Sequence, residues 1–142
     1  MTDILQTLPM LPHMRAHPEI GLLTWHPQGV LDDELVNHVV VLAEAGEAAA
    51  AQPFNRFTDL NGLTGVKLSF GLLYRVSQRR RTAYTGNVRV KSAFYCSRGV
   101  GYASARIYAA LMQNAPIEVR AFQSLEAAAE WLEVPVEILI EK

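Results

Sequence analysis

The residues best suited to chemistry are few and scattered along the chain. Ser97-Arg98-Gly99-Val100-Gly101 places an arginine and two glycines between a stretch of strand character and one of helix character. Glycines let backbone amides approach a ligand closely, and a helix N-terminus attracts anions. The segment is neither Gly-x4-Gly-Lys-Ser/Thr nor Gly-x-Gly-x-x-Gly, so a plain strand-to-helix turn is the simpler reading. Cys96 precedes it. A neighbouring arginine and a helix N-terminus both favour a thiolate, the form a nucleophile needs. No general base is evident, and a buried or incidental thiol is the simpler account. His13, His17, His26 and His38 lack metal-ligand spacing, since Pro12 and Pro18 interrupt the first pair and no His-Glu-x-x-His occurs. Asp59, Ser69 and Cys96 with nearby arginines form no triad or carboxylate pair. No catalytic residue, metal or cofactor is expected.

Charge is more informative. The net charge of −1 over 142 residues conceals a strong asymmetry. Residues 56–106 hold ten bases and one acid, Asp59, a net +9, while residues 1–55 carry −6 and residues 107–142 carry −4. Blocks of one sign mark a surface for an oppositely charged partner. An acidic protein or a second copy of the chain would serve. The blander account is that acidic helices of the same fold neutralise the basic segment. Arg75, Arg79, Arg80 and Arg81 are the candidates for partner binding. They lack interleaved exposed aromatics, and a pI near 6.4 is low for a nucleic-acid module, so no nucleic-acid partner is expected.

These groups need a frame. Half of the residues are hydrophobic and 19% are charged, ample for one core. A single cysteine excludes an internal disulfide. No apolar run approaches the ~20 residues of a membrane span, and no signal peptide is read, so a cytoplasmic location is expected. Three prolines make residues 1–18 an irregular or extended segment. Ile20–His26 has strand composition and ends at Pro27-Gln28-Gly29. Asp32 or Asp33 caps a helix carrying Leu31, Leu35, Val39, Leu42 and Gly46 at helical spacing, with Glu44 and Glu47 assigned to its surface. Phe54–Leu60 is a second strand, followed by an Asn61-Gly62 turn and a helix striped by Leu68, Leu72 and Val76. Arg79, Arg80 and Arg81 fall in its last turn, where cations suit the dipole. Val88–Tyr95 is a strand, and a helix follows to about Asn114. Ile117–Phe122 is a strand, and Ser124 caps a short helix. This alternation predicts an α/β fold with a four- to five-stranded, mostly parallel or mixed sheet and about four helices. The domain is set at 19–133, leaving residues 134–142 as a C-terminal tail.

Several of these motifs resemble the SpoIIAA-like family, a bacterial branch of STAS-type domains akin in fold to CRAL-TRIO lipid-transfer proteins. Phe57-Thr58-Asp59-Leu60-Asn61-Gly62-Leu63 is similar to the family's strand ending in Asp-Leu and a small polar residue. Arg79-Arg80 resembles its helix-terminal arginine pair. Gly101-Tyr102-Ala103-Ser104-Ala105-Arg106-Ile107-Tyr108 resembles its Gly-x-Ala-Arg helix start, with one residue more. Val119–Phe122 with Glu126–Leu132 resembles its closing strand and helix. The likeness covers roughly residues 19–133 and implies a four- or five-stranded sheet. In anti-anti-sigma factors of the STAS type a serine opening the second helix is phosphorylated. Here that position falls on Leu68, with Ser69 beside it and Phe70 in place of glycine, so the phosphorylatable serine is lacking.

Loops at the carboxyl ends of parallel strands are where ligands sit in such sheets. The expected site therefore joins Asn61, Lys67, Ser69 and Phe70 to Ser97, Arg98, Gly99 and Tyr102, with Arg56 adding charge to the same crevice. The function expected is non-catalytic binding of a small apolar or amphipathic anion, lipid-like in class. The alternative is a homodimeric adaptor whose basic 56–106 surface meets an acidic protein.

Overall fold

Caps and turns set the boundaries of the elements, and a computed structural model describes residues 10–99 and 101–141. Strand β1 (Met14–His17) is followed by a 3-10 turn (Pro18–Ile20) and β2 (Leu22–Trp25). Gly21 makes the bend between them with a φ of +60°, a conformation that favours glycine. Strand β3 (Gly29–Asp32) leads into α1 (Asp33–Ala49), whose Asp32 cap accepts the Leu35 amide at 2.9 Å. Strands β4 (Asn55–Asp59) and β5 (Leu63–Lys67) precede α2 (Phe70–Arg80), capped by Ser69. Then come β6 (Val90–Tyr95), α3 (Gly101–Leu111), β7 (Ile117–Phe122) and α4 (Leu125–Leu132), the last capped by Ser124.

The main sheet has five strands in the order β1-β2-β4-β6-β7, all parallel except β1, which is antiparallel to β2. The chain is thus an α/β fold with four helices and a mixed sheet, plus a two-stranded parallel ribbon of β3 and β5. The crossovers β2-α1-β4, β4-α2-β6 and β6-α3-β7 all advance in the same direction across the sheet. A near-universal right-handed crossover then lays all three helices on one face.

Register divides the side chains between the faces. Leu23, Arg56, Ser92 and Val119 stand in one row, and Trp25, Thr58, Phe94 and Ala121 in the next, all toward α1–α3. The opposite row runs Thr24, Phe57, Ala93 and Arg120. On that side Leu22, Phe57 and Ala93 pack against Ala128, Ala129 and Leu132 of α4 and against Leu139.

Three features go beyond the sequence reading. Within the 1–18 segment, of which residues 10–18 are described, Met14–His17 is an edge strand. It is held by backbone pairing to β2, and four residues are too few for periodicity to reveal it. The described part of the 134–142 tail, residues 134–141, is anchored. Its 3-10 turn, Val136–Leu139, buries Leu139 completely, and His26 Nε2 donates to the Leu139 carbonyl at 2.8 Å. The β3–β5 ribbon carries Gly29 and Gly65, which mask strand composition. Among the described residues no helix is long and apolar enough to cross a membrane.

Candidate functional site

The three-helix face does not close. Between it and the sheet lies a cavity of about 220 Å³. Its walls show why. Helix α1 contributes Val36, Val39, Val40 and Leu42 together with the smaller Ala43 and Gly46; α3 contributes Gly101, Ser104 and Ala105 ahead of Tyr108. The small residues among them leave a gap above Thr58 and Ser92, which stand in adjacent rows of the sheet, and they cannot reach across it. Leu31 and Val66 of the ribbon wall one end, and Leu73 and Val76 of α2 another side. Gly101 has a packing reason as well, since a Cβ there would stand 3.2 Å from Leu60 Cβ.

One end of this apolar space is charged. Arg56 of β4 and Arg80 of α2 both line it. Glu47, at the end of α1, stands between the two guanidiniums. Its Oε2 accepts from Arg56 Nη1 at 2.9 Å, its Oε1 accepts from Arg80 Nη1 at 2.9 Å, and Arg80 Nη2 also donates to Oε2. Arg56 Nη2 further donates to the Phe54 carbonyl and the Tyr84 hydroxyl, each at 3.1 Å, while its guanidinium stacks on the Phe54 ring. All three charged side chains are largely withdrawn from water, at 13%, 6% and 5% exposure for Arg56, Arg80 and Glu47. Burial opposes the charge on Arg80, but the hydrogen bonds and charge of Glu47 outweigh it and raise its pKa. Burial also raises Tyr84, and pushes Tyr108 up to about 12, so both phenols stay protonated. Tyr108 also lines the cavity. Arg56 Nε is buried with no hydrogen-bond partner.

The loops singled out by sequence meet at the carboxyl edge of the sheet. Asn61 Oδ1 accepts from the Ser97 amide at 3.0 Å and its hydroxyl at 2.9 Å. Ser69 donates through its amide and hydroxyl to Asp33, at 3.2 and 3.1 Å, besides capping α2. Lys67, Arg98 and Gly99 are exposed. Phe70 is 62% exposed, and Tyr102 packs beside Leu60, Cys96 and Ala105. None of these eight residues lines the cavity, although their neighbours Leu68 and Gly101 do. Arg56 lies near the amino end of β4 and is therefore not part of that edge. Val100 lies outside the described residues.

The basic group also divides. Arg75 is exposed, Arg79 pairs with Glu44, and Arg81 donates to the carbonyls of Leu111 and Gln113. Arg80 is buried and unavailable to a partner's surface. Acids of α1 thus neutralise part of the basic stretch within the fold. Cys96 is 2% exposed, its thiol donating to the Arg98 carbonyl. His13 bonds Glu141, His17 bonds Thr24, and no group of three metal-ligating side chains forms among the described residues.

Sequence reasoning placed Glu47 on the surface and missed the charged cluster. The signal was present: Val36, Val40, Ala43 and Glu47 follow one another at helical spacing, which sets Glu47 on the inner face of α1. Comparison with known proteins finds no matching family, no matching curated protein and no matching solved structure.

Proposed function

We propose that this chain is a non-catalytic binding domain that holds a small apolar molecule between its sheet and helices α1–α3. The observation that carries the reading is the cavity itself, about 220 Å³ with mainly aliphatic and aromatic walls and polar groups gathered at one end. A preformed apolar pocket with a few convergent polar groups is the usual form of a small-molecule site. No nucleophile with an adjacent base lines it. Kinship with SpoIIAA-like domains belongs to the same proposal and rests on the motifs quoted above. The homodimeric adaptor draws its support from exposed Phe70 and Tyr74 on α2, yet pairing of Arg56, Arg79 and Arg80 with Glu44 and Glu47 weakens its basic surface.

Native and denaturing mass spectra of freshly purified protein, taken side by side, test the reading together with an apolar environment-sensitive dye. Extra mass lost on denaturation, or dye binding abolished by Ala43→Phe, supports it. A bare chain whose dye binding ignores Ala43→Phe overturns it.

A further inference from the structure

The charged end of the cavity is out of balance. Arg56 and Arg80 bring two positive charges, and Glu47 brings one negative charge. The nearest further ion pair, Glu44 with Arg79, is itself neutral. The carbonyl ends of α1 and α2 offset part of this excess as diffuse dipoles, but they leave the two guanidiniums with a single carboxylate between them. An uncompensated buried charge is costly, and proteins that retain one hold it against a partner. The hydrogen bonds are unbalanced in the same sense. Arg56 Nε–H has no acceptor and no contact with water, and the Tyr108 hydroxyl, which keeps its proton, lines the same cavity. Ser92, level with Arg56 in the adjacent strand, turns toward the same space. Among the groups described there Glu47 is the one carboxylate, and its two oxygens are already engaged.

We infer that this end of the cavity binds the carboxylate of a monoanionic apolar acid, held by Arg56 and Arg80 with the Tyr108 hydroxyl as a neutral donor. A small turn of the Arg56 guanidinium on its stem presents Nε–H to the anion, and a guanidinium matches a carboxylate's two oxygens. The apolar walls take the hydrocarbon. A cavity of about 150 Å³ accommodates benzene, so one of 220 Å³ suits roughly nine or ten non-hydrogen atoms. A straight acid of about eight carbons has that size. The inference rests on the proposed binding function and specifies its ligand class.

The test is calorimetric titration of the full chain, freed of any co-purified ligand, with octanoate, 1-octanol and octylamine at neutral pH. Octanoate is expected to bind at least tenfold more tightly than 1-octanol, and octylamine least of all. Arg56→Met is expected to remove that preference while leaving 1-octanol binding in place, and Tyr108→Phe to weaken octanoate severalfold without affecting 1-octanol. Should Arg56→Met fail to fold, Tyr108→Phe and the ligand series decide by themselves. Equal binding of octanoate and 1-octanol overturns the carboxylate assignment and leaves the cavity function standing. Binding of none of the three overturns both.

Discussion

The two faces of the sheet are built from the same strands and come out differently. Under α4, Leu22, Phe57 and Ala93 meet Ala128, Ala129, Leu132 and Leu139, and each of these seven is at most 4% exposed. Under α1–α3, a larger set of side chains surrounds a gap with an ion cluster at its end. Alanine appears on both sides with opposite results. On the closed face, Ala93 and Ala128 let a helix settle directly onto the sheet. On the open face, Ala43 and Ala105 sit where three helices already bridge the sheet and cannot collapse further. Close packing serves stability on one side, and its absence leaves room for a ligand on the other.

This contrast can be broken by substitution. The largest loss is expected from Leu132→Ala on the closed face, about 3–5 kcal/mol in urea unfolding, since the cavity it opens has nothing to fill it. Glu47→Gln should approach that value, about 3–5 kcal/mol, because it strands two buried guanidiniums. A loss below about 1 kcal/mol there would show the cluster to be well hydrated. The next effect sharpens the comparison directly. Ala93→Leu should overpack the closed face and cost about 1–3 kcal/mol. Ala43→Leu on the open face should change stability by less than about 0.5 kcal/mol, having space to enter, and should lower apolar dye binding. Equal costs at the two alanines would mean that the faces do not differ.

Smaller effects are expected at the sheet edge. Phe70→Asp and Arg98→Glu, both on exposed side chains, should each shift stability by no more than about 0.5 kcal/mol and leave cavity binding intact. Loss of ligand in either variant would return the site to the loops.

The smallest is a pH response. Burial, with help from Arg15, lowers the His17 pKa below 6.5, while the unfolded histidine takes its proton near 6.5. Below that pH the unfolded state binds more protons, so stability is full above about 6.5 and declines as pH falls toward the folded value. His17→Gln should flatten the urea midpoint between pH 7 and 5.5, the measurement that checks this.

Much of the frame was legible in the sequence because its signals are local. Asp32, Ser69 and Ser124 cap where they stand, and the alternation in Ile117–Phe122 marks β7 without reference to the rest of the chain. The ribbon was less legible, since β3 and β5 are four and five residues long and pair across 30 residues of helix and strand. The site was the least legible part. Arg56 stood in a strand whose inward face could not be assigned before its neighbours were known. A gap, moreover, is the product of three helices meeting a sheet, and no single segment encodes it. The basic stretch drew attention to exposed arginines, whereas the pair facing the cavity, Arg56 and Arg80, is withdrawn from the surface.

The one-directional winding of the chain has a consequence for change over time. Because α1, α2 and α3 all lie on one side, a substitution that reshapes the cavity need not touch the layer under α4. Val36, Val39 and Ala43 can be exchanged for other apolar residues while Ala93, Leu132 and Leu139 hold the sheet to α4. The shape of the cavity is thereby free to drift without the chain losing its foothold. The same separation makes this architecture a practical starting point for selecting new binders from libraries confined to a few positions of α1.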